Sequence, residues 1–152
     1  MKTKLIRFGS LMTLYNGVYA IIYGVLTLIF SKMIIAEYFR KNTIPWSLFT
    51  VNFQYPAKFY YSLMLTHAFS LISLGIFIIY LSYYILKRKD KLAWIVLFSS
   101  GVISWVSLFL IHVIMGSLII TILSFIGLAS FIIGMLIPIK YYLQKSYHEF
   151  WE

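Results

Sequence analysis

His67 and His112 are the residues of this sequence best suited to chemistry. Each stands in an apolar run that contains no Asp, Glu, Lys or Arg. If the two runs are neighbouring membrane helices of opposite direction, His67 lies about 9 Å below Tyr61 and His112 about 6 Å below Gly116, at 1.5 Å per residue. The two imidazoles then share one depth. Haem b takes axial ligands from opposite faces of the iron, so a facing His pair suits bis-His ligation. A quinone head group is the second candidate cofactor, since it needs a hydrogen-bond donor in an apolar slot. Gly101, Trp105, Leu108 and His112 line one face of a helix, where the glycine admits a ring edge and Trp105 stacks on it. The structural alternative is that each histidine bonds a serine, a backbone carbonyl or the loop above it.

Other chemistries are excluded more firmly. The chain has no cysteine, which removes disulfides, thiolate nucleophiles and Cys-ligated zinc or iron–sulfur clusters. Catalytic zinc takes three protein ligands, and no carboxylate in the spans supplies the third. No metal site is expected. There is no G-x-x-x-x-G-K-[ST] and no G-x-G-x-x-G, and no intramembrane serine has an Asp beside it to build a triad. Proton pumps, ion-coupled transporters and voltage sensors place charged residues within the bilayer, and the spans here hold none.

The elements that must position the histidines follow from composition. Of 152 residues, 62% are hydrophobic and 11% charged, and mean hydropathy is +0.90. A soluble domain is about 25% charged. The chain is therefore expected to be an all-α, polytopic membrane protein: one membrane domain, residues 1–152, with spans at about 8–30, 62–84, 92–115 and 118–138 and a tail at 139–152. Each run reaches the about 20 residues that cross a hydrocarbon core. Gly116 and Ser117 alone separate the last two, which makes them an antiparallel hairpin. The first run is longer than a signal-peptide core and lacks an A-x-A site, so it reads as a retained helix.

Net charge is +9, from 13 Lys plus Arg against 4 acids. The bases cluster at the ends of apolar runs, which indicates topology signals rather than nucleic-acid binding. Nine of them (Lys2, Lys4, Arg7, Lys87, Arg88, Lys89, Lys91, Lys140, Lys145) fall on the side of the N-terminus, and four (Lys32, Arg40, Lys41, Lys58) on the other. The positive-inside rule then places both termini in the cytoplasm. Lys87, Arg88, Lys89 and Lys91 form one turn that acts as a stop signal and contacts anionic lipid. His148 falls in the interfacial tail.

Packing is legible in the first span. Ser10, Thr13, Gly17, Ala20, Gly24, Thr27 and Ser31 recur at alternating spacings of three and four, a small-residue seam on which a neighbouring helix approaches closely. Asn16 beside it is expected to be interhelical hydrogen-bond glue. Ser100, Ser104 and Ser107 on the third span and Gly127, Ser130 and Gly134 on the fourth also suit close packing. Residues 31–58 form an outer loop: a short interfacial helix at 31–42, then an extended aromatic stretch punctuated by Pro45 and Pro56, folded as a lid over the bundle.

In outline the architecture resembles the small four-helix subunits and anchors of respiratory and oxidoreductase complexes. The uncharged spans, the lack of a sizeable soluble domain, and an aromatic loop and tail suited to contacts lead to the expectation of an accessory, non-catalytic subunit of a larger membrane assembly, whose partners are membrane lipids and other membrane subunits. A haem- or quinone-binding electron carrier using His67 and His112, and a small hydrophobic-molecule transporter, are the alternatives. The bias toward Ile, Tyr, Phe and Leu suits the cell membrane of an AT-rich prokaryote or archaeon.

Overall fold

The computed structural model describes residues 2–42, 44–88, 90–116 and 118–142. Among them are six helices and no strand: α1 (Lys2–Ile29), α2 (Ser31–Asn42), α3 (Trp46–Asn52), α4 (Gln54–Arg88), α5 (Lys91–Met115) and α6 (Leu118–Leu136). Four of them, α1, α4, α5 and α6, are long and apolar enough to cross a membrane. These four make the chain a multi-pass membrane protein. Lys89, Ser117 and the tail from residue 143 onward, with Lys145 and His148, lie outside the described residues, as does the side chain of Lys87.

Local chemistry sets the helix ends. Asp90 stands outside the first turn of α5 and accepts the backbone N–H of Ala93 at 2.8 Å, an N-cap. Gly116 closes the same helix in the left-handed region, at φ 67°, where a side chain would be strained. Pro138 follows α6, and the backbone turns at residues 137–138.

The outer segment departs from the expected extended stretch. Residues 46–52 are helical, and α4 begins at Gln54 rather than near residue 62. Both prolines are compatible with this. Pro45 precedes the first turn of α3, with its carbonyl accepting the N–H of Phe49 at 3.0 Å, and Pro56 sits in the first turn of α4, where a missing N–H costs no helical bond. The aromatic residues then close on one another. Phe39 of α2 lies 4.9 Å from Trp46, 4.5 Å from Phe49 and 5.4 Å from Tyr60 between ring centroids, so α2 and α3 are packed onto the start of α4.

The long helices touch in a ring, α1 against α4, α4 against α5, α5 against α6 and α6 against α1. Hydrocarbon supplies no hydrophobic drive between helices, so the contacts rest on close backbone approach. All seven seam residues, six on α1 and Ser31 at the start of α2, are buried. A Cβ placed on Gly17 would lie 2.9 Å from the Gly75 carbonyl oxygen, and one on Gly24 would lie 2.8 Å from that of Ala68. The α4 partner face is a second heptad seam: Ala68, Leu71, Gly75, Ile78, Ser82 and Ile85 are all buried. Its small members, Ala68, Gly75 and Ser82, recur every seven residues. Ser82 also donates to the Thr13 hydroxyl at 2.9 Å.

The serines of α5 behave differently from the expectation. Ser100, Ser104 and Ser107 donate to carbonyls one turn back on their own helix, at 2.6, 2.8 and 2.8 Å, and so bond no neighbouring helix. Arg88 at the C-terminal end of α4 lies over the Tyr84 ring and donates to its hydroxyl at 3.2 Å, a geometry suited to the headgroup region.

Gly75 sets the distance between α1 and α4, since a Cβ there would meet the Gly17 carbonyl oxygen at 2.6 Å. Gly75→Val is expected to destabilise the protein by about 1–3 kcal/mol, as overpacking does. Gly134→Ala, whose nearest neighbours are at 3.0 Å or more, should cost less. Thermal unfolding in detergent measures both, and an unchanged Tm for Gly75→Val would refute the contact.

Candidate functional site

One residue ties three helices together below the site. Asn16 of α1 donates through Nδ2 to the Gly127 carbonyl at 2.7 Å and to Ser130 Oγ at 2.8 Å, both on α6. Its Oδ1 accepts Trp105 Nε1–H of α5 at 3.1 Å. Ser130 Oγ–H in turn donates to the Gly127 carbonyl at 3.0 Å. The amide is thus used on both of its ends. One turn on, the Tyr19 hydroxyl donates to the Leu123 carbonyl at 2.8 Å, and its ring stacks on Trp105 at 6.1 Å.

The structure places Trp105 in this scaffold and not beside the histidines. Its indole is fully buried, and a Cβ on Gly127 would collide with it. Gly101, expected to admit a ligand edge, instead receives the Phe131 ring. Both glycines are sockets for aromatic side chains of the neighbouring helix. Nothing is left there for a porphyrin to enter.

His67 and His112 do meet. Their ring centroids are 5.3 Å apart at an interplanar angle of 86°, an edge-to-face contact. Tyr23 of α1 completes the group, its ring 6.1 Å from that of His112. Sequence reasoning passed over Tyr23. The available signal was its place between Ala20 and Thr27 on the seam side of α1, at the depth of the histidines.

The three side chains line a cavity of about 340 Å³, at the small end of the range for ligand pockets. Its walls come from α1 (Thr27), α2 (Ile34, Ile35, Tyr38, Phe39), α4 (Tyr60, Leu63, Met64), α5 (Ile111, Met115) and α6 (Ile120). Almost all of that lining is aliphatic, aromatic or thioether. Within it, His67 Nε2, His112 Nδ1 and the Tyr23 hydroxyl are buried without a hydrogen-bond partner among the described residues. The expected structural role, each histidine bonded to a serine, carbonyl or loop, therefore leaves these atoms unexplained. An unmet buried polar group costs about 1–3 kcal/mol, and three lie around one space.

The arrangement can do particular things. An uncharged imidazole offers one donor and one acceptor nitrogen and a phenol offers both functions, so the trio can bond a ligand with two or three oxygen atoms. No group of three or more His, Cys, Asp or Glu that could hold a metal ion exists among the described residues. The small-residue seam lies alongside, with Thr27 forming part of the wall and donating to the Tyr23 carbonyl at 2.8 Å. Of the basic turn, Arg88 is exposed, far along α4 from His67.

Comparison with protein-family models, with curated proteins and with solved structures finds no match to this chain, so the site's own geometry carries the functional argument.

Proposed function

We propose that this chain is an antiparallel four-helix bundle of a prokaryotic cell membrane, with both termini cytoplasmic, that binds a hydrophobic ligand bearing an oxygen-rich head group of the quinone class. One observation carries the reading: three unpartnered polar atoms, on α1, α4 and α5, converge on a single apolar cavity. A quinone's two carbonyl oxygens accept what Tyr23, His67 and His112 can donate, and its ring suits the aliphatic and aromatic walls. Haem fits less well. It requires the two imidazoles on opposite faces of a flat macrocycle, whereas these rings are already in edge contact. Binding rather than passage is favoured, because Trp105, Asn16 and Tyr19 fill the bundle below the cavity.

Accessory membership of a larger membrane assembly is the second reading, and Tyr15 favours it. This residue lies about midway along the Lys4–Ile29 span, yet it is 69% exposed. A phenol facing mid-bilayer hydrocarbon is costly, and tyrosine otherwise concentrates at the interfaces. A neighbouring membrane subunit that bonds the hydroxyl removes the cost.

Three outcomes follow. His112→Phe keeps the shape and deletes an unmet polar atom, so the ligand-free variant should melt higher than the wild type, by an amount corresponding to about 1 kcal/mol. It should also lose the thermal shift that a decyl-benzoquinone gives the wild type; a wild type that shows no such shift sinks the quinone reading. Because the chain has no cysteine, Lys4→Cys and Ser47→Cys report orientation directly. An impermeant maleimide should label Ser47→Cys in intact cells, and Lys4→Cys only after permeabilisation; the reverse pattern would invert the topology. For the assembly, the chain should co-migrate with other membrane proteins in mild detergent, and Tyr15→Leu should weaken that association. A wild-type chain that migrates alone argues against it.

A further inference from the structure

The walls of the cavity are unequal. On the α1 and α2 side, Tyr23, Thr27, Ile35 and Phe39 are 4–7% exposed and Ile34 and Tyr38 are partly buried, so that side is the more closed. Phe39 there is locked under the α3 rings and Tyr60, which separates the cavity from the water beyond α2. On the other side, Leu63 of α4 and Ile111 of α5 line the same cavity and yet are 49% and 47% exposed. Both belong to helices long and apolar enough to span the membrane. Around them Phe59, Leu110 and Ile114 are also exposed, and the polar members of the rim are Tyr60, 43% exposed, with Thr66 and Ser107, whose hydroxyls donate to carbonyls of their own helices. An opening with that rim faces hydrocarbon.

We infer that the cavity opens sideways into the lipid between Leu63 and Ile111, and that its ligand has two parts: an oxygen-bearing ring held at Tyr23, His67 and His112, and an apolar chain leaving through this gap into the leaflet that α2 caps. This rests on the quinone-binding reading and adds a route of entry and a tail. The cavity volume agrees. At about 340 Å³ it accommodates a head group, while a long chain must lie elsewhere. The gap is where α4 and α5 present the aliphatic side chains of Leu63 and Ile111, which an alkyl chain can lie against. Lateral entry also spares the ligand any crossing of water, in which a long alkyl chain is poorly soluble.

The test uses the full chain in lipid nanodiscs and two probes, a tail-less benzoquinone and the same ring with a decyl chain. Leu63→Trp with Ile111→Trp fills the gap and leaves Tyr23, His67 and His112 in place. Binding is read from the thermal shift that each probe gives as it is titrated, with Tyr23, His67 and His112 unchanged in every background. The gap-filled variant should bind the decyl form about tenfold more weakly and the tail-less form within about twofold of the unfilled protein. Leu63→Ala with Ile111→Ala, which widens the gap, should hold both probes and exchange the decyl form faster. Equal affinity for the decyl form in filled and unfilled proteins overturns the lateral route. So does an equal loss of both probes while the filled variant melts cooperatively, since Leu63 and Ile111 would then contact the ring and not the tail. If the unfilled protein binds neither probe, the head-group reading itself falls.

Discussion

Between Gly17 and Gly75 the backbones of α1 and α4 approach so closely that neither position has room for a methyl group. Everything else in the bundle depends on that contact. In water, two amphipathic helices are pressed together by the apolar surface they remove from solvent, but lipid tails solvate leucine as well as another leucine does. Dispersion between closely fitted backbones must then do the work, and it falls off steeply with distance. The two heptad seams supply the fit over the length of the pair, from Ser82 beside Thr13 to Ala68 beside Gly24. With α1 fixed on α4, Tyr23 and His67 are brought to one level on the same side of the bundle.

Hydrocarbon imposes a second condition, that polar groups be satisfied inside the protein. Asn16 meets it fully, using both ends of its amide to bind α5 and α6 to α1. The α5 serines meet it more simply by bonding their own helix. Ser10 Oγ and the Tyr142 hydroxyl are also unpartnered, but only the atoms of Tyr23, His67 and His112 gather around one cavity. The same bundle that leaves nothing unbonded around Asn16 leaves three polar atoms facing a void one aromatic step away, along the Trp105, Tyr19 and Tyr23 rings. Stability alone would have replaced them with phenylalanine or leucine. Three unmet polar groups converging on one cavity are what the proposed ligand site rests on.

The lid expresses the same economy. Its residues mix charge and apolar bulk as an interfacial helix requires, with the Glu37–Arg40 pair at 2.8 Å on the outside and Ile35 and Phe39 buried beneath. Here α2 supplies Ile35 and Phe39 to the cavity wall, and the rings of α3 pack on Phe39 from the far side.

The sequence by itself determined the four spans, the short α2 helix, the seam on α1 and the depth shared by the two histidines. All of these depend on composition, on period or on a fixed rise per residue, which are properties of one helix at a time. Residues 46–52 were misread as extended because two prolines mark a segment's ends without deciding the conformation between them. Tertiary structure alone decided what each small residue is for. Gly17 and Gly75 bring backbones together, whereas Gly101 and Gly127 receive the Phe131 and Trp105 rings, and a glycine in a helix carries no mark of which it will do. It also decided that Trp105 serves Asn16 rather than the histidines, and that Tyr23 joins them. The reason is physical: a one-dimensional period specifies which face of a helix is buried, but the rotation and closeness of its neighbour decide which atoms on that face meet a partner and which are left facing a cavity.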